Sequence, residues 1–237
     1  EARLSHARMG RVQVDGGSMD EFLLVAVRRK PLAELVDLFR HLQYEPKIVD
    51  VALLALESAL EMSGLGEAGG TIALVDVGAG QTLVNILKGE RTLLTRVIPR
   101  GGAAVTAALA KSLKVSPAEA EAIKLGAKPA PSPRAAAEAV RGEAERLALE
   151  LGRTFQLLGE SLPGERIGRL ALCGGGVHLE GLPAFLATAL DIPAEIIQPF
   201  RNLQVAAEAF DAQYVETLGP AAAVAAGLAY RAAEGEE

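Results

Sequence analysis

The chain has 237 residues, 50% of them hydrophobic and 23% charged, a balance that excludes disorder and leaves material for a sizeable core. A net charge of −6, 4% aromatic residues and no Trp argue against nucleic-acid binding, an anionic-membrane surface and a base-stacking platform. One Cys excludes an internal disulfide and a Cys-rich zinc cluster and fits a reducing compartment, while the longest uncharged run, Thr217 to Tyr230, falls short of the ~20 residues that span a bilayer.

Residues 1–20 are polar, contain glycine and show no clear period, and Phe22 to Val27 reads as a buried strand. Pro31 opens a helix with Leu32, Leu35, Val36, Leu38, Phe39 and Leu42 at three-to-four spacing. Ile48 to Val51 reads as a second short strand, and Leu53 to Met62 as a helix ended by glycines. A strand, a helix and a strand make an incomplete layer, so partner strands are expected upstream.

From Thr71 the texture changes. Thr71 to Asp76, Thr82 to Leu87 and Thr92 to Ile98 read as an antiparallel meander, joined by Gly78-Ala79-Gly80 and by Lys88-Gly89-Glu90-Arg91. Gly101-Gly102 introduces a helix over Ala103 to Leu113, and Ser116-Pro117-Ala118-Glu119 caps another that runs to about Leu125. Three prolines, Pro129, Pro131 and Pro133, stiffen the connection to a long helix with Val140, Leu147, Leu151 and Leu158 on one face. Glu138, Glu143, Glu145 and Glu150 read as its solvated face. The strand Ile167 to Cys173, a glycine loop, a helix over Leu182 to Leu190, the strand Ala194 to Ile197 and an Ala-rich helix over Pro220 to Tyr230 complete an α/β chain.

Two segments could carry chemistry. In Asp76-Val77-Gly78-Ala79-Gly80-Gln81-Thr82, glycines allow backbone N–H groups to face one concavity, where a phosphate would bind. A carboxylate at the strand end could hold a hydrated Mg²⁺, with Gln81 or Thr82 adding a hydrogen bond. An ordinary glycine-rich hairpin capped by Asp76 fits the same residues. In Cys173-Gly174-Gly175-Gly176-Val177-His178, three glycines let a flat ligand lie against backbone, or form a tight crossover that needs only one of them. Cys173 reads as a core thiol rather than a nucleophile, and the histidines have no metal-ligand spacing. Glu121 and Lys124, three apart on a helix, read as a surface ion pair. Walker and Rossmann signatures are absent.

In their order, these segments resemble the second half of the actin-like ATPase fold. The stretches LVDVGAGQTLVNIL at 74–87, TRVIPRGGAAVTAALAKSL at 95–113, SPAEAEAIKLG at 116–126, LALCGGGVHLEGLPAFL at 170–186 and the text from 198 to 231 resemble the PilM family of type IV pilus assembly proteins, with FtsA as an outside relative. The resemblance implies an α/β fold of the actin-like, RNase H-like kind. Residues 1–50 would be the end of an SHS2-type subdomain, and residues 51–237 the second lobe with its C-terminal return helix. It implies an ATP site with Mg²⁺, in which Asp76, Gly78, Gly80 and Gln81 belong to a phosphate loop and Asp76 faces the metal. Glu121 and Lys124 would meet ribose or base, and Gly174, Gly175 and Gly176 adenosine. Glu57 would stand where some hydrolysing relatives orient water, though it reads equally as an exposed helix residue.

A first lobe with a DxGxxxxK-type loop is implied but absent from this sequence, so weak ATP binding and no catalysis are expected of this chain. ATP would then be a conformational ligand. The implied partners are the cytoplasmic tail of PilN and other inner-membrane pilus assembly proteins, which would hold a cytoplasmic protein at the inner membrane without insertion of its own. An FtsA-like division protein is the alternative, but the acidic tail after Arg231 lacks an amphipathic membrane helix. An actin-fold small-molecule kinase would need a substrate-binding insertion that is not evident. The resemblance requires the Asp76 and Gly175 bends to meet at one pocket.

Overall fold

The computed structural model describes residues 1–234 apart from Asp15, Glu67, Ala68, Glu90 and Ala207. Glu90 of the predicted turn and residues 235–237 of the acidic tail lie outside the described residues. The chain divides into two compact units, Glu1–Val49 and Asp50–Glu237.

The first unit is an antiparallel hairpin, β1 (Ala2–Val14) and β2 (Gly17–Arg28), followed by α1 (Arg29–His41). It corrects three expectations. Residues 1–20 are not without structure: they supply β1, so β2 has its partner within the chain, with Leu4 opposite Ala26 and Arg8 opposite Phe22. The run Phe22 to Val27 lies in a strand but is not buried, Phe22 being 52% and Leu24 64% exposed. Two strands and one helix enclose too little volume to bury a side chain fully, and α1 has no buried residue. Ile48 to Val51 forms no strand; Val51 is extended only as the residue that precedes α2.

The second unit runs through α2 (Ala52–Met62), β3 (Thr71–Val77), β4 (Thr82–Lys88), β5 (Arg91–Ile98), α3 (Gly102–Leu113), α4 (Pro117–Lys124) and α5 (Pro133–Ser161). It continues with β6 (Ile167–Cys173), a 3₁₀ turn (Gly175–His178), α6 (Leu182–Leu190), β7 (Ala194–Ile196), α7 (Ala212–Leu218) and α8 (Ala223–Glu234). The sheet order is β5-β4-β3-β6-β7; the meander is antiparallel, and β3–β6 and β6–β7 are parallel.

Helices cover both faces of this sheet, which is why β3 is apolar at nearly every position. Ala73, Val75 and Val77 face a core completed by Leu147, Leu151 and Leu158 of α5 and Leu186 of α6. Ile72 and Leu74 face the opposite core, with Leu56 and Leu60 of α2 and Ala223 of α8. Across that second face α2 and α8 touch backbone to backbone: a Cβ on Gly227 would overlap the Ala55 carbonyl oxygen. Arg231 of α8 also pairs with Asp50, just ahead of α2. The short α7 was not predicted, although Asp211 caps it by accepting a hydrogen bond from the Tyr214 N–H at 2.8 Å.

Candidate functional site

Parallel pairing of β3 with β6 sets Asp76 opposite Cys173, so the two glycine-containing bends leave the sheet side by side at its carboxyl edge. Open α/β sheets bind ligands at such edges. The bend after β6 is built for close approach. Gly174 has φ +82°, and a Cβ there would collide with Asp76 Oδ1; a Cβ on Gly176 would collide with the Val77 side chain. Two of the three glycines are therefore required by packing against β3, not one. The Cβ directions at Gly175 and Gly80 meet nothing within 4 Å, so at these two positions a ligand can reach the backbone.

The bend after β3 is held by α3. The Gly78 N–H donates to the Gln81 carbonyl at 3.0 Å, and the Gly102 and Ala103 N–H groups donate to the Gly78 and Ala79 carbonyls at 2.9 and 2.8 Å. Thr82 is fully buried and its hydroxyl donates to the Arg100 carbonyl at 2.8 Å, so it is not the ligand contact that its place in the motif suggested.

Between the bends lies a cavity of about 320 Å³. Five predicted site residues line it together: Gly78, Glu121, Lys124, Gly175 and Gly176. Asp76, Gly80, Gln81 and Gly174 do not; Asp76 and Gly174 adjoin one another at the strand ends, and Gly80 and Gln81 are exposed. The apolar part of the wall comes from Val105, Ala144, Leu147, Leu179 and Leu182, the lining expected where a flat organic group is held.

Glu121 and Lys124 are more than a surface pair. Lys124 Nζ lies 2.8 Å from Glu121 Oε1 and donates to Thr106 Oγ1 at 3.1 Å and to the Gly102 carbonyl at 3.4 Å, with its side chain only 15% exposed. Hydrogen bonds from Lys124 and then Thr106 hold the Glu121 carboxyl below its usual range. Glu143 departs furthest from its predicted surface position. It is buried on the cavity wall, held by Arg100 from the α3 entrance and by Arg146 one turn along α5. Its spacing of four and eight from Leu147 and Leu151 was the available signal, outweighed by the polarity of the side chain. Arg100 carried no local signal beyond its place before Gly101-Gly102. Glu150, also predicted as solvated, is half-buried between Arg96 and Arg153.

Burial alone pushes the Asp76 carboxyl up, and among the described residues no ion pair reaches it. The described residues contain no group of three His, Cys, Asp or Glu side chains that could hold a metal outright. One carboxylate beside a bound polyphosphate suffices for Mg²⁺, which keeps most of its waters, so the donor set fits a hydrated ion and not a protein-caged one. Burial and the neighbouring Asp76 charge push the Cys173 thiol well up, consistent with a core thiol. Glu57 is neither exposed nor on the cavity. It accepts hydrogen bonds from Asn85 Nδ2 at 2.6 Å and Thr92 Oγ1 at 3.0 Å, on the sheet face covered by α2.

A family model described as type IV pilus assembly protein PilM matches residues 1–233. Cell division protein FtsA of Bacillus subtilis (strain 168) is 32% identical over 78 residues, 33% of this chain and 18% of that protein. Among solved structures, the PilM-PilN type IV pilus biogenesis complex is similar at TM-score 0.81 and 26% identity, over 97% of this chain and 66% of that one. MreB5 of Spiroplasma citri bound to ADP is similar at TM-score 0.59 and 15% identity, over 86% of this chain and 65% of that one. The chain thus spans just under two thirds of these solved chains and less than a fifth of FtsA.

Proposed function

The chain belongs to the PilM family of type IV pilus assembly proteins and has the actin-like, RNase H-like α/β fold, and from that membership we propose that it acts in a cytoplasmic, nucleotide-binding adaptor of the pilus machine that docks the cytoplasmic tail of PilN. Residues 51–237 are the second lobe and return helix of that adaptor, and residues 1–50 the end of its SHS2-type subdomain. The observation that carries the nucleotide reading is the meeting of Gly78, Gly175 and Gly176 with Glu121 and Lys124 around one cavity at the carboxyl edge of the sheet. The fold's likeness to an ADP-bound relative supports it.

In this reading the backbone at Gly80 and Gly175 receives the ligand closely. Glu121 and Lys124, already oriented by Thr106, face its sugar or base. Asp76 holds the waters of Mg²⁺, which screens the phosphates when bound. ATP serves in this reading as a conformational ligand that biases the surface offered to partners.

The PilN assignment is supported by the likeness to the PilM-PilN complex over 97% of the chain. Among the described residues no helix is long and apolar enough to cross a membrane. Attachment through PilN and other inner-membrane assembly proteins then places the adaptor at the inner face of that membrane. The test is capture of a PilN cytoplasmic-tail peptide by the protein that carries this chain, with and without Mg²⁺ and ATP. Capture is expected, with an affinity that responds to nucleotide; no capture under either condition overturns the adaptor role.

A further inference from the structure

Arg100 links the end of β5 to the start of α3, and its backbone is fixed there by the Thr82 hydroxyl on its carbonyl and by the α3 amides bonded to the Gly78 bend. Its side chain, 34% exposed, lines the cavity and pairs with Glu143. The Glu143 side chain is only 10% exposed and has a second cation, Arg146, which is not part of the cavity wall. A buried carboxylate with a single partner resists losing it, because an uncompensated buried charge is strongly unfavourable. With two guanidiniums on Glu143, one can leave while the other keeps the charge compensated.

Lys124, the other Lys or Arg of the wall, is held by Glu121, Thr106 and the Gly102 carbonyl. That leaves Arg100 as the cation with freedom to meet a ligand. Its planar fork matches phosphate oxygens in pairs, and it stands beside the bend assigned to phosphate.

We propose that Arg100 binds the anionic end of the nucleotide in this cavity, turning from Glu143 to the phosphates while Arg146 retains Glu143. The inference rests on the nucleotide reading above and adds to it a residue and an exchange of partners. Calorimetry with Mg²⁺-ATP and with adenosine, on the protein that carries this chain and on its Arg100→Ala and Arg146→Ala variants, tests it.

The expected result is that ATP binds more tightly than adenosine to the unaltered protein. Arg100→Ala weakens ATP about tenfold, roughly one charge-assisted contact, and leaves adenosine unchanged. Arg146→Ala also weakens ATP, because Glu143 then holds Arg100 back; this side chain is largely exposed, so the variant is expected to fold. A merely structural Arg100 would weaken adenosine and ATP alike, and that outcome overturns the proposal. So does equal affinity of the unaltered protein for the two ligands, an ATP affinity indifferent to Arg100→Ala, or one indifferent to Arg146→Ala. If the unaltered protein binds neither ligand, the nucleotide reading itself fails and the proposal falls with it.

Discussion

Glu57 shows how one side chain can be misjudged from its neighbours in sequence. Burial raises its pKa, against the lowering effects of hydrogen bonds from Asn85 and Thr92 and the charge of Arg231. Beside it Asn85 Oδ1 is buried without a partner among the described residues. A carboxyl whose folded pKa lies above the ordinary value of 4.5 binds more protons folded than unfolded between those two values. Stability therefore falls as pH rises through that window. Glu57→Gln keeps the acceptor for Asn85 and Thr92, removes the charge and supplies an N–H for the Asn85 oxygen. The expected outcome is a higher urea midpoint at pH 8 and a flatter decline as pH rises above 4.5; a midpoint equal to or below that of the parent chain at pH 8 would contradict this. Asp76, raised by burial, has the same sign. Neither shift could be read from sequence. Glu57 and Asn85 are 28 positions apart and meet only because α2 packs on β4, and Glu143 meets Arg100, 43 positions away, in the same manner.

Helices and strands were legible wherever one period ran without interruption. The continuous apolar runs of β3 and β6 and the cap Ser116 mark their elements almost to the residue, because burial on both faces and capping act locally. The first strand was not legible, since its polar residues are stabilised by pairing across a hairpin that also leaves β2 exposed. Helix contacts were equally hidden, and glycines of similar appearance have opposite roles. At Gly227 a Cβ would meet the backbone of α2, so Gly227→Ala is expected to cost about 1–3 kcal/mol as the helices are forced apart. At Gly159 of α5 a Cβ meets nothing within 4 Å, and Gly159→Ala should stabilise by about 0.5–1 kcal/mol through helix entropy. Urea unfolding of the two variants should move in opposite directions, and a shared direction would show that the α2–α8 approach is not the limiting contact.

At the scale of the whole molecule, the hydrophobic clusters formed by buried residues among the described ones lie within the second unit, between Leu56 and Ala223, so that unit has its own core. Deleting residues 1–49 is therefore expected to leave Asp50–Glu237 folded, with cooperative unfolding and a Tm shift below about 4 °C. Loss of cooperative unfolding would mean that the second unit depends on the first. The sequence alone determined the fold class, the order of the second unit's strands and most of its helices, and the two glycine bends, because periodicity, capping and turn chemistry are properties of neighbouring residues. Only the tertiary structure decided that β3 lies beside β6, so that the bends share a cavity, that Glu143 faces inward, and that Arg100 and Arg146 share its charge. The β3–β6 pairing and the Arg100–Glu143 contact join residues far apart in the chain, and their energies depend on burial and on which partner is present, which no local pattern records.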